Sequence, residues 1–438
     1  MKAFLFLSKK GPFKSKRLIF FSLLLAFSFF PAKGLFSESK KDPSILEEAL
    51  TFREQGPEGL EAFKQKFGKL LSIERDKPQA SAEVIRLRQV LDQICQQKDC
   101  DYDYLYWYTD FTQAQEAAKK THKPILSLRL LGELDEDLSC ANSRFFRLVL
   151  YSYPEIASYL RENFILYWES VRPAPKLTID YGHGTKIITT ITGNSIHYIL
   201  SPEGKILDAL PGLYDPQTFL KKLKGYVVDS KVSNHKEHYS KLYQDLEKQW
   251  ELSIQKSGLP RISLGAWLSS TGISADLFNQ EMSAEEAAKL AISKRMVEIP
   301  NLAAFRDQAV PPSPVSIDPY LVYLALNQKP LVQLNPNSIQ LLKRKSPQLF
   351  ANRCVDLKSC PLIENLQKTL GEDTVQNDFL LRPQIIKYLI NHPDISIKEL
   401  NDWVYAKVFL SSQEDPWMGL KPVNLTGVPN EGVIQPDQ

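Results

Sequence analysis

The five cysteines are the residues of this chain best suited to covalent chemistry. Cys95 and Cys100 lie in CQQKDC, Cys354 and Cys360 lie in CVDLKSC, and Cys140 stands alone. Neither close pair has the gap of a redox dithiol or the spacing of a four-ligand zinc site. Both are candidates for local disulfides, Cys95–Cys100 and Cys354–Cys360, in an oxidising compartment; the alternative leaves them as buried free thiols. Each bond would close a short loop and stabilise by about 2 kcal/mol. Cys140 is then the thiol left to carry chemistry.

Other constellations point to structure rather than catalysis. His235 and His238 have the spacing of metal ligands on a helix, but no third ligand accompanies them. A solvated helix face among Lys236, Glu237 and Lys241 accounts for them. Asp135 and Asp137 lack the pattern of a calcium loop, so an exposed acidic loop is expected. His197, in SIHYIL, reads as a satisfied sheet residue, and His183 lies in a turn-like YGHG. The aromatic run from Tyr102 to Phe111 reads as packing against a neighbouring core, with hydroxyls at its rim. No nucleophile elbow, P-loop or dinucleotide fingerprint appears, and no cofactor or metal is expected.

Composition sets the wider frame. With 43% hydrophobic and 24% charged residues, the 438-residue chain is neither disordered, collagen-like nor a multi-span membrane protein. The balance of 54 Lys+Arg against 51 Asp+Glu argues against nucleic acid as a partner. Residues 1–34 hold seven of those bases and no acid, so the remainder is net acidic, at −4. A basic stretch ending at Lys16-Arg17, an apolar run from Leu18 to Phe30 and the small residues around Ala32-Lys33-Gly34 have the order of an export signal. The run would rise about 20 Å as a helix, short of a bilayer core. The alternative is an uncleaved anchor extending to Phe36. The expected location is the periplasm or cell envelope, with membrane contact only through that anchor.

The rest divides by pattern. Residues 35–100 form a helical N-terminal region, with apolar residues at helical spacing in SILEEALTF, GLEAFKQKFGKLL and SAEVIRLRQVL. Residues 101–228 alternate strands and helices. ILSLRLL and FILYWESV are strands, SRFFRLVLY and PEIASYLREN helices, and KLTID and KIITTIT a hairpin; SIHYIL, SPEG, KILDAL and a helix from Asp215 follow. That order indicates an α/β domain, a mixed sheet sandwiched by helices. Residues 229–438 read as mainly helical, with a capping box at Ser283 and Glu286 and a proline-rich connection over 300–337.

Between about 104 and 228 the chain resembles the thioredoxin-like superfamily, particularly exported members with a Trp near the domain start and a Lys-Pro before the first core strand. The matching parts are Trp107, Lys123-Pro124, ILSLRLL, Cys140 opening a helix, PEIASYLRENFILYW, and TGNSIHYILSPEGKILDALPGLYDPQTFLKKL. The resemblance implies a thioredoxin-like central domain, with Cys140-Ala141-Asn142-Ser143 in the place of the redox CxxC. Cys140 then matches the nucleophilic cysteine, and Ser143 replaces the resolving one. The sequence departs from redox members in three places. An acidic loop of Glu133, Asp135, Glu136 and Asp137 precedes Cys140. Ser195 or Ile196 falls where those members carry a cis-proline, and the KLTID/KIITTIT hairpin replaces a helix.

A thiol at a helix N-terminus is favoured as thiolate by the unpaired N–H groups, and Arg144 and Arg147 would help if they faced it. Without a second thiol in the motif, a mixed disulfide at Cys140 could not collapse internally, which suits isomerisation or thiol capture. Two functions follow as expectations. One is a monothiol thiol-disulfide oxidoreductase or isomerase acting on substrate proteins through Cys140, with Ser143 as hydroxyl donor. The other is a non-catalytic module of the cell envelope that binds a protein partner.

Overall fold

The computed structural model describes residues 42–77, 79–191, 193–226, 232–270, 324, 333–354, 360–412, 414–415 and 418. The export-signal segment, the capping box at Ser283 and most of the proline-rich connection lie outside the described residues. Among those described, no helix is long and apolar enough to cross a membrane.

The N-terminal helices are α1 (Pro43–Arg53), α2 (Pro57–Glu74) and α3 (Ala82–Cys95). Asp42 and Ser81 cap α1 and α3 with side-chain oxygens, while Pro43 and Pro57 occupy first-turn positions that need no amide donor. Phe63, Leu71, Val84, Val90, Leu91 and Ile94 form a core of their own. At its edge Cys95 and Cys100 are joined, so the disulfide ties the end of α3 to the turn that leads into the sheet. Arg53 fastens the bundle there by donating to Ile94 O (2.6 Å) and Trp107 O (2.8 Å).

The central sheet contains β1 (Trp107–Tyr108), β2 (Ile125–Leu131), β3 (Ile165–Arg172), β6 (Ile196–Leu200) and β7 (Ile206–Pro211), in the order β1-β3-β2-β6-β7. β1, β3 and β2 are parallel; β6 runs antiparallel to β2, and β7 to β6. Parallel neighbours need crossovers, and helices supply them. α4 (Phe111–Thr121) links β1 to β2. α5 (Ala141–Phe145), the π-helical stretch Phe146–Tyr151 and α6 (Pro154–Asn163) link β2 to β3. Every residue of β2 is buried, as its near-continuous apolar run requires for a central strand covered on both faces. Two residues are exceptions in type: Ser127, and Arg129, which pairs with Glu169 across to β3 and lies over the Tyr167 ring.

β4 (Lys176–Asp180) and β5 (Lys186–Thr190) form a separate two-stranded ribbon between β3 and β6. α7 (Pro216–Lys224), capped by Asp215, closes the α/β part. Then come α8 (His235–Ser257), α9 (Leu264–Ser270), α10 (Pro336–Lys345), α11 (Pro347–Arg353), α12 (Pro361–Gln376), α13 (Arg382–Asn391) and α14 (Ile397–Trp403). π-helical stretches extend α12 over Asn377–Leu381 and α14 over Val404–Val408. The second disulfide, Cys354–Cys360, joins the end of α11 to the start of α12. The architecture is therefore a mixed α/β one, with the apolar residues of α8, α12 and α13 in the same core as the sheet.

Candidate functional site

Cys140 is the N-cap of α5 and is fully buried, with 0% exposure. After β2 the chain makes a loop and returns to the strand end: Gly132 N–H donates to Arg172 O (2.8 Å) and Cys140 N–H to Leu131 O (3.0 Å). The sulfur then faces the loop before β6. Its Sγ lies 3.0 Å from Ser195 Oγ and 3.5 Å from Ser143 Oγ. The Ser143 hydroxyl is also 2.8 Å from both Ser139 Oγ and Cys140 O, and its single hydrogen serves one of them at a time. The hydrogen-bond partners of the sulfur are thus both neutral hydroxyls.

The loop comes this close because of Gly193. Its φ is +126°, and a Cβ built there would lie 2.8 Å from Cys140 Cβ and 2.7 Å from Leu131 Cδ1. Only glycine tolerates both the backbone angle and the contact. Next to it, Asn142 Nδ2 donates to Asn194 Oδ1 (3.3 Å). From the far end of the chain, buried Tyr405 donates its hydroxyl to Asn194 O (2.8 Å), and Tyr198 donates to Asn401 Oδ1 (3.4 Å). Burial pushes the Tyr405 phenol well above its ordinary pKa, and the neighbouring Cys140 adds to this. A C-terminal helix thus packs against the cysteine's loop.

The arginines near the motif have other partners. Arg144 donates to Thr190 Oγ1 (2.8 Å) on β5. Arg147 donates to Leu134 O (3.0 Å), Glu136 O (2.9 Å) and Ser139 Oγ (3.4 Å), so it reaches the sulfur only through the serine hydroxyls. The acidic loop is exposed at Glu136 and Asp137, as expected, but not at Asp135. Asp135 is buried and accepts from Gln93 Nε2 (3.2 Å), while Asp137 meets Lys345 (3.1 Å) and Lys98 (3.8 Å). Those carboxylates hold the N- and C-terminal regions to the loop.

His197 is a buried sheet residue, as its setting in SIHYIL suggests, but it is satisfied at one ring nitrogen only: Nδ1 has no hydrogen-bond partner among the described residues. Its Nε2 is 2.7 Å from Tyr151 Oη, its ring packs on Phe146 and Phe219, and burial lowers its pKa to about 3. His238 corrects the solvated-face reading: its Nε2 lies 2.8 Å from Leu207 O, because α8 packs against β7. Among the described residues no group of three or more His, Cys, Asp or Glu is placed to hold a metal ion. The aromatic run packs inward around Trp107, whose Nε1 donates to Gln97 Oε1 (2.7 Å).

Two buried charge clusters had no signal in local spacing. Arg382 donates through Nε to Asp208 Oδ1 (3.2 Å) and through Nη2 to Oδ2, while Tyr226 donates to Asp208 Oδ2 (2.6 Å). Beside them Lys222 pairs with Asp378 (2.7 Å); burial, then Arg382, lowers its pKa against the pull of Asp378. At the Cys95–Cys100 end, Arg344 binds Asp101 (2.6 Å) and Asp99 (3.1 Å). Burial raises Asp92 to about 7 there, with Lys98 opposing.

No protein-family model, curated protein or solved structure matches this chain.

Proposed function

We propose that the chain is an exported protein of the cell envelope whose central domain is thioredoxin-like and acts as a non-catalytic scaffold for a protein partner. The strand order β1-β3-β2-β6-β7, with β6 alone running against the other four, supports the fold assignment. So do the crossover helices and the position of Cys140 between β2 and its following helix. The two disulfides fit an oxidising compartment.

The observation that carries the non-catalytic reading is the enclosure of Cys140. A nucleophilic thiol must reach a substrate sulfur, and reactive cysteines occupy electropositive, partly exposed settings. This sulfur has no exposed surface, contacts two hydroxyls, and lies under a loop held by Tyr405. Trapping tests the reading. Wild-type protein and a Cys140→Ala variant, each incubated with a disulfide-bearing substrate protein, should yield equally little mixed disulfide. A covalent adduct seen only with the wild type would contradict it.

The N-cap position of Cys140 and the hydroxyl of Ser143 favour a second reading, monothiol exchange. In that reading the thiolate of Cys140 attacks a substrate disulfide, one substrate sulfur joins it and the other leaves as thiolate. Ser143 cannot resolve the adduct, so an external thiol attacks Cys140 Sγ or the substrate sulfur. The reading requires the Tyr405 contact to open first. It predicts that Tyr405→Ala raises trapping well above the wild-type yield.

A further inference from the structure

The Cys95–Cys100 bond closes a turn that collects negative charge. Cys100 lies between Asp99 and Asp101 in KDCDYD, and Asp92 comes one helical turn before Cys95 on α3. All three carboxylates are buried. Burial raises the Asp92 carboxyl to about 7, against Lys98, and the charges of Asp99 and Asp101 add to the rise. The backbone is strained as well: Gln96, Asp99 and Tyr104 have φ of 53°, 64° and 52°, and none of them is glycine. Closing the turn therefore gathers like charges and holds left-handed residues, and both oppose it.

The compensating cations come from far along the chain. Arg344, on α10, is bidentate on Asp101 (2.6 and 3.0 Å) and reaches Asp99 (3.1 Å), while Lys345 meets Asp99 (2.8 Å). The Arg344 guanidinium also lies 4.7 Å over the Tyr102 ring. Against burial, Lys345, Arg147 and Arg344 hold the Asp99 carboxyl below its ordinary range. From α3, Arg88 meets Asp101 (3.3 Å), and the Asp92 side chain accepts from Cys100 N–H (3.1 Å). The other end of α10 is fastened elsewhere, by Asn337 donating to Ser152 O (3.2 Å). The acidic turn is thus the seat of the helix's last turn.

From this arrangement we infer that the Cys95–Cys100 bond is a redox latch for the C-terminal region: the closed turn seats Arg344 and Lys345, and those cations in turn protect the bond from reduction. Closing the latch converts two thiols into one disulfide. The two electrons and two protons pass to a disulfide donor, which leaves as two thiols. Opening is the reverse, with a dithiol as reductant. Without the bond, Cys100 no longer fixes the separation of Asp99 and Asp101, their charges move apart, and the guanidinium loses its paired seat. The coupling is reciprocal: the factor by which the bond favours docking of α10 is the factor by which docking favours the bond. Both cysteines are fully buried, which sets the rate of exchange and not its equilibrium. The latch involves neither Cys140 nor the protein's location.

A redox titration of the purified full chain tests it. The protein is equilibrated in mixtures of reduced and oxidised dithiothreitol, free thiols are blocked by alkylation, and each cysteine pair is read by peptide mass. With Arg344→Gln and Lys345→Gln together, the Cys95–Cys100 pair should be half reduced at an about tenfold lower ratio of dithiol to disulfide than in wild type. The Cys354–Cys360 pair should not move, and Asp208→Ala, a change on β7, should leave the wild-type ratio in place. In the reverse direction, Cys95→Ser with Cys100→Ser should speed amide hydrogen exchange in the last turn of α10 about tenfold and leave β2 unchanged. Equal half-reduction ratios in wild type and the double-glutamine variant overturn the inference. So does a shift of the same size at Cys354–Cys360 or in Asp208→Ala, which would make the effect one of general stability. A folded serine variant with wild-type exchange in α10 also overturns it; where near-ultraviolet circular dichroism shows that variant unfolded, the titration decides alone.

Discussion

Two buried polar sites on the central sheet are built from opposite materials. Around Cys140 every hydrogen-bond partner of the sulfur is a neutral hydroxyl, and Arg147 is turned to carbonyls of the preceding loop. Around Asp208, on β7, the partners are a guanidinium and a phenol, with the Lys222–Asp378 pair alongside. Both sites are covered by C-terminal helices. The difference teaches where the C-terminal region is held by charge: at β7 and at the Asp99–Asp101 turn, with neutral contacts at the cysteine. A buried ion pair is costlier to break from one side than a neutral hydroxyl contact. The thiol is enclosed, with only neutral hydroxyls as hydrogen-bond partners of its sulfur.

The comparison can be broken at its charged end first. Asp208→Ala leaves Arg382 buried without its carboxylate and should cost about 3–5 kcal/mol in denaturant unfolding. Replacing both residues, as in Asp208→Leu with Arg382→Met, should recover a large part of that loss. An Asp208→Ala variant as stable as wild type would remove the contrast between the sites.

At the neutral end, Gly193→Ala forces a Cβ against Cys140 and Leu131 at an unfavourable φ and should destabilise by about 2–3 kcal/mol. Tyr405→Phe leaves Asn194 O without its donor, for a loss of about 1–2 kcal/mol, and should speed modification of Cys140. Unchanged thiol accessibility in that variant would mean that Tyr405 does not govern the cover.

The effect spread over pH rather than concentrated in one variant is a slope at His197. Its pKa falls from 6.5 in the unfolded chain to about 3 in the fold, through burial. Its contribution is complete above pH 6.5 and is lost as pH falls toward 3, because only the unfolded chain takes up the proton in that window. The slope is at most about 1.4 kcal/mol per pH unit. Asp92, raised to about 7 by burial, acts in the opposite direction and loses stability as pH rises from 3.8. Unfolding measured from pH 4 to 6.5 should show a weaker acid loss in His197→Phe than in wild type.

Local pattern carried much of this architecture. ILSLRLL reads as a core strand because it is apolar but for Ser127 and Arg129, and β2 is buried throughout. The β4–β5 hairpin, Asp215 before α7 and Cys140 at a helix start were legible for the same reason: each depends on residues within one turn or one hairpin. Both cysteine pairs were legible as bonds, although spacing alone could not choose bonds over thiols.

Long-range partners were not legible. Asp208 and Arg382 are 174 residues apart, and nothing beside either announces the other. Asp135 reads as a loop carboxylate until Gln93 is brought against it, and His238 as solvated until α8 meets β7. Tyr405 is harder still. It lies in a π-helical stretch, where the wider turn shifts the helical face by which packing is read.

The most direct test of an enclosed, unactivated Cys140 is the rate at which a small alkylating agent labels it, followed by intact mass. Folded wild-type protein should be labelled at least about a hundredfold more slowly than the unfolded chain across neutral pH, as expected for a group reached only by opening. Rapid stoichiometric labelling of the folded protein, persisting well below neutrality, would contradict the account.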